Sequence, residues 1–118
     1  MKKAIIKKED GTIICRADVA CGFFEKFMGL MLRKSIPGDY GLLIRRCNQI
    51  HMMNMRFPLD IIYLSRENEV IHTDRNIQPG RIGKPVRNAA DVIEVTAGTC
   101  EKLTIERGMR LKVEHTDA

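Results

Sequence analysis

The sequence predicts an α+β domain dominated by antiparallel β-strands, with one or two short helices. Three observations predict it. The apolar runs are short, rich in Ile and Val, and bounded by Gly, Pro, Asn and Asp. Asp10-Gly11 stands between two such runs as a hairpin turn. Only the stretch 21–32 spaces its apolar residues as a helix does. At 118 residues the chain fits one domain spanning 1–118.

Ile5-Ile6, flanked by Lys2, Lys3, Lys7 and Lys8, suits a short edge strand, because lysines blunt edge-to-edge association. After the Asp10-Gly11 turn, Ile13-Ile14-Cys15 forms its partner. Phe24, Phe27, Met28 and Met31 then fall on one helical face and are expected in the core, with Asp18 available as the cap. Gly22 and Gly29 each cost such a helix about 1 kcal/mol relative to Ala, which keeps it short. The turn Pro37–Gly41 leads into Leu42-Leu43-Ile44, and a further segment runs from Gln49 to Met55. Pro58 admits a strand over Leu59–Leu64, since Pro is tolerated before a strand but not inside one. Glu67-Asn68-Glu69 turns it into Val70–Thr73. Residues 76–90 form a long loop, a length that usually carries function or disorder. A strand over Asp91–Thr96, a short helix over 100–105 and a closing strand over Met109–Val113 complete the chain.

The formal net charge is +5, and the first 60 residues carry the excess. A second basic stretch holds Arg75, Arg81, Lys84 and Arg87. Such clusters attract anions. Four Phe, two Tyr and no Trp leave little for base stacking, which argues against a nucleic-acid partner. No apolar run is long enough to span a bilayer, and the basic start is not followed by the apolar stretch of a secretory signal. The expected location is the cytoplasm, with Cys15, Cys21, Cys47 and Cys100 as free thiols.

Cys47 and His51 are a thiol and an imidazole close in sequence. In an extended segment their Cα atoms would lie roughly 13 Å apart, too far for a nucleophile and its base. Two ligands of that spacing do not make a metal site, and no phosphate or dinucleotide fingerprint occurs, so no cofactor is implied. Asp60 opens an apolar strand. It either bonds backbone groups at the strand entrance or faces a wet cleft. Glu94 poses the same question, and alternation puts it on the same face as Val92.

Several separated segments together resemble one family. They are Gly29-Leu30-Met31-x-Arg33, Gly41-Leu42-Leu43-Ile44, Cys47-Asn48-Gln49-Ile50-His51, Met55 to Leu64, and Val92 to Thr99. In this order and spacing, over about residues 12–113, the chain resembles the small prokaryotic family called domain of unknown function 192. His51-Met52-Met53-Asn54-Met55 stands where many members read W-M-K-N-T, Lys26 where Arg is usual, and Gly108-Met109 where G-D is common. Roles tied to that Trp, Thr or Asp are not carried over. The resemblance implies a β-dominated α+β fold and no established activity, substrate or cofactor. It also brings an association of some relatives with pilus or secretion genes.

The expectation is a non-enzymatic binding or accessory module for a small ligand or protein partner. Its surface would combine the Gly29–Arg33 segment, the His51–Asp60 segment and the basic loop. Arg33 and Arg81 would hold an anionic group, and Asn54 and Asp60 would fix its orientation, with His51 and Glu94 completing the site. Two alternatives are a small enzyme using Cys47 or His51 in a shallow cleft, and a basic binder of nucleic acid or membrane surfaces.

Overall fold

The computed structural model describes residues 1–116, apart from the side chains of Phe23, Phe24 and Phe27. Its strands are β1 (Lys2–Lys8), β2 (Ile13–Ala20), β3 (Tyr40–Arg45), β4 (Leu59–Leu64), β5 (Val70–Ile77), β6 (Asp91–Thr96) and β7 (Leu111–His115). They form one sheet in the order β5-β4-β6-β3-β2-β1-β7. The helices α1 (Phe23–Met28) and α2 (Thr99–Lys102) have six and four residues, so the fold is mostly β rather than a balanced α+β. No helix among the described residues is long and apolar enough to cross a membrane.

The sheet curls into a half-barrel. Its two ends approach where Val70 N–H donates to the Met109 carbonyl and Gly108 N–H to the Val70 carbonyl, each at 2.7 Å. One face packs Ile6, Leu43, Ile62, Leu64, Ile93 and Ile105. The opposite face packs Leu42, Ile44, Ile61, Tyr63 and Val92 beneath Leu30, Met52 and Met55 from the loops. Both faces of β4 are therefore covered, and all six of its residues are buried. That explains its nearly unbroken apolar run. Gly41 lets β3 close on β2, because a Cβ there would lie 2.5 Å from Cys15 Sγ.

Several expectations change. β1 is not an edge strand. It lies between β2 and β7, and Lys7 pairs with Glu114 at 3.0 Å. Asp18 belongs to β2, where it binds Lys3 and the Tyr40 hydroxyl. α1 instead starts at Gly22, with the Glu25 carboxylate accepting the Cys21 and Gly22 N–H groups at 3.2 and 3.3 Å. The Phe24 and Phe27 side chains of the expected stripe lie outside the described residues, and Met28 and Met31 are half-buried. The segment from Gln49 to Met55 forms no strand, only a bridge between His51 and Ile82. Beside β3 lies β6, which sits between β3 and β4. α2 ends before 105 because Ile105 N–H turns back to the Cys100 carbonyl at 2.8 Å.

Candidate functional site

β6 is an inner strand of the sheet, between β4 and β3, and its alternation sends Ile93 and Val95 to one face and Val92 and Glu94 to the other. Cross-strand neighbours of Glu94 are Leu42 on β3 and Ile61 on β4. The carboxyl thus stands on apolar ground. It is 5% exposed and has no hydrogen bond or ion pair among the described residues. Burial alone pushes it up to about 7. Every fully enclosed side-chain nitrogen or oxygen among the described residues has a partner. Glu94 instead borders a small cavity.

That cavity, about 30 Å³, has room for a water molecule or two. Lys26, Cys47, Gln49, His51 and Met55 border it with Glu94. Its roof depends on Gly29, which follows α1 at φ +46°. A Cβ there would meet Glu94 Oε1 at 3.7 Å and would sit in a backbone region that L side chains rarely adopt. The segment 48–52 is held by the loop after β5. Gly83 N–H donates to the Ile50 carbonyl at 2.9 Å, Met52 N–H to Arg81 at 2.7 Å, and the Gln49 amide to Gly83 at 2.8 Å. Leu32 N–H donates to the Asn54 carbonyl at 3.0 Å, joining the third loop.

His51 Nδ1 accepts the Met53 N–H at 3.3 Å, which leaves Nε2 to carry the proton of the neutral ring. Cys47 donates its thiol to the Gln49 carbonyl at 3.0 Å. Burial pushes this thiol above its usual range, against a smaller downward pull from the bond to Gln49. Iodoacetamide at pH 7.5 is expected to alkylate Cys47 more slowly than a small free thiol, read by peptide mass spectrometry. A Cys47 faster than that reference would revive a nucleophilic role. Cys15 and Cys100, both buried, are pushed up to about 12 by burial and stay inert.

The structure brings His51, Glu94 and Cys47 to one cavity, although an extended segment would have kept Cys47 and His51 apart. It places Asn54 and Arg81 on adjoining loops, both exposed, with their backbones holding the loops together. Arg33 lies over the Tyr40 ring, 5.2 Å from its centroid. Asp60 faces the other side of the sheet, since Ile61, not Asp60, pairs with Glu94. Its carboxylate accepts the N–H groups of Asn76, Gly98 and Cys100 at 2.8, 3.0 and 2.9 Å. The backbone-bonding alternative describes it. In the sequence, Lys26 reads as a departure from the family pattern, Gln49 as a member of a family-like segment and Gly29 as a helix-shortening glycine, and none of them as a site residue.

The sequence profile of DUF192, uncharacterized ACR, matches residues 4–113. The chain is 32% identical over 111 residues to a UPF0127 protein of Thermococcus sibiricus, covering 88% of this chain and 70% of that one. It is 33% identical over 99 residues to a UPF0127 protein of Pyrococcus furiosus, covering 79% and 82%. Among solved structures, a candidate transcription regulator from Sinorhizobium meliloti aligns with a TM-score of 0.81, over 95% of this chain and 92% of that one. A protein of unknown function from Novosphingobium aromaticivorans aligns at 0.80, over 93% and 83%. Both are 23% identical and speak to the fold alone.

Proposed function

We propose that this chain, which belongs to the DUF192 family, is a non-enzymatic binding module whose Glu94 cavity receives a hydrogen-bond donor, above all a protonated amine. The observation that carries this reading is the buried carboxyl, without a partner among the described residues, at the edge of a cavity. A carboxylate in an apolar setting gains most from a cation it can bond directly. The amine would come from a small ligand or from a protein partner. The raised Cys47 thiol, whose proton is held by Gln49, gives the enzymatic alternative less support. Four free cysteines suit a reducing, cytoplasmic setting.

Methylammonium is the smallest probe, since its two heavy atoms suit the cavity volume. At a ceiling of about 1.5 kcal/mol per heavy atom, its Kd is about 6 mM or weaker. Carbon-detected NMR of the Glu94 carboxyl is expected to show a saturable shift and a lowered titration midpoint with methylammonium. Tetramethylammonium, which has no donor, should produce neither, and Glu94→Gln should abolish the saturable shift at the cavity amides. A linear response to methylammonium, equal to that of tetramethylammonium, would overturn the reading.

A further inference from the structure

Beside the Glu94 cavity lies a wider depression of about 540 Å³, and Cys47 and Gln49 border both. Arg46 and Arg66 stand on its walls. Neither guanidinium has a hydrogen-bond or ion-pair partner among the described residues. Four of the other nine arginines are engaged among the described residues: Arg45 with Asp91 at 3.0 Å, Arg16 with Asp39 at 3.7 Å, Arg33 over Tyr40, and Arg75 with the Ile105 carbonyl at 2.9 Å. The depression also differs in charge from others on the surface that hold basic side chains. Those include acids as well: Glu67 and Glu69 beside Arg110 and beside Arg66, which borders both hollows, Asp74 beside Lys84 and Arg107, Asp18 beside Lys3 and Arg16. This one has none in its lining among the described residues.

Its frame is built rather than incidental. Arg46 sits at φ +53°, in the left-handed region that a non-glycine residue enters only when neighbours hold it there. Asp91 accepts its N–H at 3.1 Å, and Lys26 Nζ donates to its carbonyl at 3.2 Å. Across the depression, Cys47 N–H donates to the Ala90 carbonyl at 3.0 Å, and Ala90 N–H to the Leu64 carbonyl at 2.7 Å, two residues before Arg66. The two arginine backbones are thereby tied to one scaffold. Two arginines bordering a hollow whose own lining holds no acid among the described residues suit an oxyanion.

We infer that the ligand of this module is bipolar, with an amino group in the Glu94 cavity and an oxyanion, carboxylate or phosphate, between Arg46 and Arg66. This rests on the reading of Glu94 above, and the two can fail separately. Joining both groups in one molecule makes the second contact intramolecular, so a linker of the right length raises affinity well beyond either group alone.

The test is nitrogen-detected and amide NMR at low salt, where exposed charges are least screened. Sodium acetate and inorganic phosphate are titrated separately, followed by ω-amino acids from β-alanine to 6-aminohexanoate. Acetate or phosphate is expected to shift the Arg46 and Arg66 side-chain signals saturably, and the stronger of the two identifies the oxyanion. Arg46→Gln with Arg66→Gln should remove that response, whereas Glu94→Gln should keep it. At least one ω-amino acid should bind tenfold or more tightly than acetate, and this gain should vanish in Glu94→Gln and in the double arginine variant alike. Non-saturable shifts with both anions would overturn the oxyanion site while leaving the methylammonium result intact. Saturable anion binding without any gain from a linked amine would overturn the bipolar ligand.

Discussion

Asp60→Ala lowers the unfolding free energy by an expected amount on the order of 4 kcal/mol. The reason is its three N–H donors. Asn76, at the end of β5, and Gly98 and Cys100, at the start of α2, converge on one carboxylate that is 1% exposed. Bonds to a charged acceptor contribute about 1.5–3 kcal/mol each, and a buried donor left unpaired costs a further 1–3 kcal/mol. The desolvation of the carboxylate offsets part of this sum. Asp60→Asn should fall in between, because its amide nitrogen presents hydrogens to one of the donors. Urea denaturation monitored by far-ultraviolet circular dichroism gives the comparison. A loss under about 1 kcal/mol for Asp60→Ala would show that the carboxylate does not hold β5 and α2 together.

Glu94→Gln should act in the opposite direction and only at higher pH. In the folded protein the Glu94 carboxyl is raised from 4.5 to about 7. Between those values the native state holds a proton that the unfolded chain has lost, so wild-type stability falls as pH rises through this window. Above about 7 both states are ionised and the loss is complete. At 1.36 kcal/mol per pH unit the full difference is about 3 kcal/mol. Glu94→Gln, which stays neutral, should therefore match the wild type near pH 4.5 and exceed it by about that amount at pH 8. Chemical denaturation of both proteins at pH 4.5, 6 and 8 measures the gap. A gap that does not widen with pH means that the carboxyl ionises without penalty and that the cavity is wetter than its apolar walls suggest.

The two carboxylates also mark what was legible in the sequence. Each interrupts an apolar strand, and alternation correctly placed Glu94 beside Val92. Alternation within one strand cannot say how its faces align with those of another. The pairing of Ile61 with Glu94, and of Asp60 with Val95, puts the two acids on opposite sides of the sheet. The hairpin at Asp10-Gly11 and the strand over Leu59–Leu64 were readable because local turn chemistry and burial on both faces leave local traces. The insertion of β6 between β3 and β4 leaves none. Arg46 and Arg66 carry no signature either. One is defined by a backbone angle and the other by a loop that comes to lie beside it.

The strand order has a consequence for how the chain is made. β3 and β4 follow one another in sequence but are joined in the sheet through β6, which ends at Thr96. Until a ribosome has released that strand, the nascent chain holds two unfinished pieces, β1–β2–β3 and the β4–β5 hairpin, each with an apolar edge that lacks its neighbour. Such long-range closure slows folding and leaves those edges open to wrong partners. The expected outcome is that chains truncated before Thr96 aggregate more readily than the full chain, which sedimentation of the two would measure.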